Sequence, residues 1–333
     1  MTIPALAQRT PKGPLEPIAL ADPGPPGPGE IDVDVLHCSV CHSDVHLLDG
    51  DWGDVARPLV PGHEIVGRAG DRWVGIGWQA GSCGACVPCT TGREHLCTGG
   101  KVRTCMGRPG GFAARVRVDA RFCFDIPEGL DPADAAPLLC AGLTTFSPLE
   151  RLGVVARGRG MRVGVVGLGG LGHLAVRFAR AMGAEVIAFD PDLGKRDLAR
   201  ALGASDLVDA RGALPEGAID LLLVTTHAAL DWDAWMRVLA LEGTLCLVGI
   251  PAAPVTLAAD WLLDHQKTVT GSVIGSRSTM TRMLAFAAEH RILPMVERMP
   301  MTRAAEAIAK VRAGEARMRI VLDADGPFAA SVR

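Results

Sequence analysis

The apolar positions divide this chain into three stretches of different texture. Up to about residue 140, short Val-rich runs such as Ile31–Leu36 and Phe112–Val118 are broken by Gly, Pro and Cys. Alternation of this kind predicts a small, irregular β domain. The Pro/Gly run from Asp22 to Glu30 reads as a turn-rich approach to a strand. From about Ala141 the pattern changes. Arg162–Val166, Glu185–Phe189, Ala218–Val224 and Thr244–Val248 are continuous apolar runs and read as buried parallel strands. Between them lie helical patterns, Leu171–Met182 and Lys195–Leu202. Such a βαβ series predicts a doubly wound α/β sheet. The last stretch holds two helical segments, Thr281–His290 and Thr302–Ala313, and a short strand, Arg319–Asp323. That strand can extend the second domain or return to the first.

Composition narrows the function classes. At 333 residues the chain is too long for one average core and suits two domains. Lys and Arg number 34 against 37 Asp and Glu, a formal net charge of -3. No strong field points to nucleic acid or to an anionic membrane. No apolar run reaches the roughly 18–20 residues of a membrane span. Met1 to Leu20 lacks the continuous apolar core of a signal peptide. The expectation is a cytoplasmic protein, whose ten cysteines are thiols rather than disulfides. So many thiols suggest metal ligation.

Cys83, Cys86, Cys89 and Cys97 have the spacing C-x2-C-x2-C-x7-C. One loop with that spacing can wrap a tetrahedral zinc, and four thiolates close the shell, so the ion is structural. An iron–sulfur cluster or four unrelated buried thiols are the rivals. A second set is dispersed: Cys41 in Cys-His-Ser-Asp, His63 in Gly-His-Glu, and Cys140. Each alone is weak. Together they supply Cys₂His, which leaves zinc an open position for water or an alcohol oxygen. Glu64 adjoins a ligand, and Asp44 is placed to orient His63 through its other ring nitrogen.

Gly167-Leu168-Gly169-Gly170-Leu171-Gly172 follows a predicted strand and opens a predicted helix. This is the context in which such a turn binds a dinucleotide pyrophosphate. Asp190 ends the next strand, where a carboxylate accepts from ribose hydroxyls and repels a 2′-phosphate, favouring NAD over NADP. Its rival role is a turn residue before Pro191. Lys195 reaches the same ribose or lies on a helix surface.

In this order the motifs resemble the zinc-containing medium-chain alcohol dehydrogenases, nearest the bacterial aldehyde-reductase and cinnamyl-alcohol-dehydrogenase branch. The stretches PLLCAGLTTFSPL and VGVVGLGGLGHLAVRFARAMGA carry much of the likeness. The resemblance implies a GroES-like catalytic domain over 1–141, with its zinc lobe at about 81–98. It further implies a Rossmann domain over 142–277 and a return to the first domain over 278–333. It implies that Cys41, His63 and Cys140 hold a catalytic zinc and the four clustered cysteines a structural one. Ser43 would receive the substrate proton and His46 pass it to solvent through the nicotinamide ribose. His42 would face the pyrophosphate, Thr144 the nicotinamide, and Val248 the cofactor. Trp52 would line the alcohol pocket. The expected reaction is hydride transfer between a primary alcohol and NAD, in a homodimer or homotetramer. A specialised carbonyl or iminium reductase, or a non-catalytic zinc-stabilised nucleotide-binding protein, are the alternatives. One departure stands out. Gly70-Asp71-Arg72 follows Glu64 almost at once, whereas relatives carry roughly a dozen more residues there, about two strands' worth. A hairpin is therefore expected to be missing or much shortened.

Overall fold

In a computed structural model, residues 2–53, 55–157 and 160–329 are described. The outermost residues of the expected first and last stretches, 1 and 330–333, lie outside them. The chain divides into two compact units, Met1–Ala141 with Gly275–Arg333, and Gly142–Ile274.

The unit Gly142–Ile274 is built on six parallel strands. Their spatial order is Asp206–Asp209, Glu185–Asp190, Arg162–Val166, Ile219–Val224, Leu239–Leu247 and Thr268–Gly271. The central strands Arg162–Val166 and Ile219–Val224 are almost wholly buried. Helices cover both faces of such a sheet, so its strands carry Val and Leu without alternation. Numbered along the chain, the order is the doubly wound 3-2-1-4-5-6, reversing between Arg162–Val166 and Ile219–Val224. Ligands of this architecture bind beyond the carboxyl ends of the strands at that reversal. The apolar run places a strand over Thr244–Val248; the strand starts earlier, at Leu239, and ends at Leu247. The two edge strands, Asp206–Asp209 and Thr268–Gly271, are too short and too polar for apolar periodicity to mark them.

In the other unit, the long strand Glu30–Val40 is the organiser. It pairs antiparallel with Glu64–Ala69, with Arg319–Asp323 and, along its first half, with Arg115–Asp119. The strand Arg319–Asp323 thus returns to the first unit. Beyond Glu64–Ala69 the sheet continues through Arg72–Ile76 to Phe124–Asp125. Val33, Val35, Ile65, Val74, Phe112, Ile320 and Leu322 are fully buried between these elements. An N-terminal hairpin, Thr2–Gln8 with Leu15–Ala21, packs beside them. Pro4 and Pro17 interrupt its alternation, and the sequence pattern missed it.

The clipped segment after Glu64 proves to be a shortened hairpin rather than a missing one. Ile65 pairs with Ile76 and Ala69 with Arg72. Only Gly70 and Asp71 form the loop. Gly70 takes a φ of 60°, which a two-residue hairpin turn wants at its first central position. The Arg68 guanidinium sits 4.1 Å from the Trp73 ring centre and covers the short end. Both apolar faces that the core needs are therefore kept. No helix among the described residues is long and apolar enough to cross a membrane.

Candidate active site and metal centres

The four clustered cysteines fold onto one point. Cys83 and Cys97 sulfurs lie 3.5 Å apart, Cys86 and Cys89 3.5 Å, Cys83 and Cys89 3.9 Å, and Cys86 and Cys97 3.9 Å. A tetrahedron with Zn–S bonds of about 2.3 Å has edges of about 3.8 Å, so the lobe already has the dimensions of a closed zinc shell. A short helix, Val87–Thr90, and a turn at Glu94–Leu96 make the reversals.

The dispersed set also converges. Donor atoms of Cys41, His63, Glu64 and Cys140 all lie within 4.8 Å of one another, and all four residues are buried. Local structure explains how. Cys41 precedes the helix His42–Asp49. Glu64 begins the strand Glu64–Ala69, and His63 directly precedes it. Cys140 follows the turn Ala136–Leu139 and precedes the helix Ala141–Arg151. Asp44 ties the first two segments together. Its carboxylate accepts from the Cys41 N–H at 3.0 Å, the Gly62 N–H at 2.9 Å and His63 Nδ1 at 3.0 Å. That bond fixes the proton on Nδ1 and aims Nε2 as a lone-pair donor. His63 Nε2 is buried and has no hydrogen-bond partner. A buried nitrogen left without a partner is costly unless something accepts its lone pair, and a metal ion does so.

Electrostatics agree with a cation site. Hydrogen bonding from Cys140, aided by His63 and the Arg319 charge, holds the Cys41 thiol well below the usual range. Burial opposes charge on His63 and on Arg319, yet the anionic groups around them outweigh it and push both upward. Bases that keep their protons, and a Cys140 thiol pushed well above the usual range by its hydrogen bond with Cys41 and by burial, define a pocket of negative potential. A dication meets that demand and takes the imidazole in its neutral form.

Glu64 does not stand free beside Cys41, His63 and Cys140. One carboxylate oxygen is paired with the Arg319 guanidinium, and both side chains are essentially buried. Arg319 also donates to the Ser39 hydroxyl at 3.2 Å. The other carboxylate oxygen, Oε1, has no partner. Burial pushes Glu64 up to about 7, against the pull of Arg319. Sequence reading missed Arg319 and Ser39. The available signal was a lone cation heading an apolar strand, Arg319–Asp323.

Ser43 and His46 lie on the helix His42–Asp49 three residues apart, hence on one face. His46 Nδ1 is 2.8 Å from Asp51, a partner sequence reading did not name, and its side chain is 29% exposed. The Trp52 ring stacks on His46 with centroids 5.1 Å apart. Trp52 is 37% exposed and is not a core residue. Trp78, another residue missed, stands edge-on to both Trp52 and His63. The His42 ring lies 5.4 Å from that of His46.

In the unit Gly142–Ile274, the glycine turn joins the strand Arg162–Val166 to the helix Gly172–Ala181. A Cβ on Gly172 would stand 1.8 Å from the Gly167 carbonyl oxygen, so strand and helix meet only through glycine. A Cβ on Gly169 would meet nothing within 4 Å. Packing does not require glycine there; the open space suits a phosphate approaching backbone N–H groups. Leu168 is buried, and Val248 follows the strand Leu239–Leu247 with its N–H donating to the Val224 carbonyl. Thr144 is buried in the helix Ala141–Arg151.

Asp190 is more engaged than the sequence suggested. It accepts from the Leu168 N–H at 2.7 Å and the Asp192 N–H at 3.0 Å, and Lys195 Nζ lies 3.1 Å from both its oxygens. A carboxylate offers about four lone-pair positions. A ribose diol approaching Asp190 would therefore have to take over the Lys195 contacts. Lys195 is a partner of Asp190 rather than a surface residue.

Fold and sites together define an oxidoreductase with zinc and a nicotinamide cofactor. Residues 27–128 match the alcohol dehydrogenase GroES-like domain, and residues 170–289 match the zinc-binding dehydrogenase domain. The chain is 38% identical over 336 residues to aldehyde reductase AdhA of Synechocystis sp., covering 96% of this chain and 98% of that protein. It is 39% identical over 323 residues to an NADP-dependent alcohol dehydrogenase C of Mycolicibacterium smegmatis, covering 89% and 91%. Among solved structures it is similar to a cinnamyl alcohol dehydrogenase of Sorghum bicolor, with a TM-score of 0.90, 33% identity, and 97% and 98% of the two chains covered. The chain belongs to the zinc-containing medium-chain alcohol dehydrogenases, and its reaction is the interconversion of an alcohol and its aldehyde.

Proposed function

We propose that this enzyme carries two zinc ions, one structural and one catalytic, and prefers NAD for hydride exchange with primary alcohols and their aldehydes. The convergence of Cys41, His63 and Cys140 around the unpartnered His63 Nε2 is the observation that carries the reading. When bound, zinc supplies a Lewis acid at the substrate oxygen, and the nicotinamide supplies or accepts the hydride. The chain's own side chains do the rest. Asp44 holds His63 and the Cys41 backbone in place. Ser43 takes the proton of the alcohol hydroxyl. His46, steadied by Asp51, exchanges that proton with solvent from its other ring nitrogen. Trp52 forms an apolar wall for the substrate. The glycine turn holds the pyrophosphate, and Thr144 and Val248 flank the cofactor.

NAD preference rests on Asp190. Its carboxylate, at the carboxyl end of the second strand of the sheet order, repels a ribose phosphate. Comparison of kcat/KM for NADH and NADPH, on a panel of aliphatic, allylic and aromatic aldehydes, checks this. NADH is expected to be favoured at least about tenfold, the effect of roughly 1.4 kcal/mol of differential binding. Equal or better use of NADPH overturns the assignment. For assembly, the strand Thr268–Gly271 ends the sheet with an edge unpaired among the described residues. Such an edge suits pairing with a second copy, as in a homodimer or homotetramer.

Ser43→Ala is expected to lower kcat about a hundredfold, the lower range for loss of general acid–base catalysis. Zinc content should not change, because Ser43 is not among the four clustered donors. Wild-type turnover in that variant contradicts the proton route.

A further inference from the structure

Cys105 lies outside every motif described above. It is fully buried and has a φ of 59°. For a residue with a side chain, this left-handed conformation costs on the order of 1 kcal/mol or more. The flanking chain holds it there. Thr104 donates its N–H to the Trp78 carbonyl at 2.9 Å and its hydroxyl to the Gly77 carbonyl at 2.7 Å. A Cβ on Gly110 would stand 2.6 Å from the Cys105 Cβ, so the opposite side is closed as well. Strain of this kind persists where the surroundings over-determine it, and it clusters at functional sites.

The turn carries the thiol to His63. A carboxylate oxygen of Asp44, a ring nitrogen of His63 and Cys105 Sγ lie within 4.8 Å of one another, all in buried residues. A polarisable sulfur packs well against an imidazole ring.

We propose that Cys105 is a positioning residue for the catalytic metal site: its thiol backs the His63 ring beside Asp44 and keeps Nε2 aimed at the ion. This rests on the reading of Cys41, His63 and Cys140 as ligands. Trp78 closes another side of the ring, edge-on at 4.8 Å between centroids. The imidazole is thus fixed by a carboxylate, a thiol and an indole.

Glycine suits the left-handed backbone, so Cys105→Gly removes the thiol while relieving the strain. Zinc-loaded wild type, Cys105→Gly, Cys105→Ser and Cys140→Ser are challenged with a chromogenic chelator. The release phase that Cys140→Ser lacks reports the catalytic ion. Cys105→Gly is expected to release that ion about tenfold faster, as loss of a residue supporting a metal ligand typically does. Its Tm should not fall in the zinc-free form, and Cys105→Ser should recover part of the slow release. Wild-type release from Cys105→Gly overturns the proposal. So does release from Cys105→Ser that is no slower than from Cys105→Gly. A thiol that serves packing alone would lower the zinc-free Tm and leave the release phase unchanged. If wild type shows no phase that Cys140→Ser removes, the ligand reading itself has failed, and the proposal with it.

Discussion

Replacing Cys140 with serine is expected to lower kcat for aldehyde reduction about a thousandfold or more. A Lewis acid at a reacting oxygen is worth several kcal/mol, and each 1.4 kcal/mol is a factor of ten in rate. Serine is nearly isosteric but is a poor ligand for zinc at neutral pH. The fold should hold, because Cys140 sits at the junction of a turn and a helix and its backbone is unaffected. The four-cysteine lobe does not involve Cys140 and should keep its ion. Steady-state rates with a saturating aldehyde check the loss. Activity within tenfold of wild type contradicts the assignment of Cys140 as a ligand.

The second large effect is on stability. Arg319→Met is expected to destabilise the first unit by about 3–5 kcal/mol, the cost of leaving one member of a buried pair without its partner. Methionine retains apolar bulk, so lost packing is the lesser part of the effect. Glu64 is then left buried beside Cys41, whose thiol is held well below its usual range. The loss depends on pH, and its sign follows from Glu64. Its folded value is raised to about 7 from an ordinary 4.5. A carboxyl raised on folding binds its proton more tightly in the folded state, so its contribution is favourable at low pH and is lost as pH rises through about 7. Without Arg319 the charged form has less support still. The drop in Tm should therefore be larger at pH 8 than at pH 6. Thermal melts of both proteins at the two pH values check this. A Tm within about 2 °C of wild type at pH 8 contradicts a structural role for the pair, since 1 kcal/mol shifts Tm by roughly 2–4 °C in domains of about this size.

What could be read from the sequence was what is encoded locally. The lobe packs four cysteines into fifteen positions, so spacing alone implies convergence. The glycine turn announces itself because strand, turn and helix follow one another without a gap. The buried parallel strands are visible because both their faces are covered, and apolar residues run unbroken. The Arg319–Glu64 pair was invisible because 255 positions separate its members. No periodicity links two such residues; only the return of the last strand to Glu30–Val40 does so. Cys105 and Trp78 were hidden for a related reason. They come from irregular backbone at the ends of short strands, where neither a period of two nor one of 3.6 applies. The sequence marks Asp190 as an acceptor, and its acceptor positions are filled by Lys195 and two backbone N–H groups. Sequence shows a residue's chemistry before it shows what that chemistry is already spent on. The clipped hairpin after Glu64 was legible as a loss of length. That its core pairing survives is visible in the ladder from Ile65 to Ala69.

The central claim is that one chain holds two zinc ions in two different shells, one closed and one with a position for substrate. Zinc content per chain, measured by elemental analysis on purified wild type and Cys140→Ser, tests it most directly. The account predicts two ions in wild type and one in Cys140→Ser, with the remaining ion in the four-cysteine lobe. One ion in wild type, or two in Cys140→Ser, would contradict it.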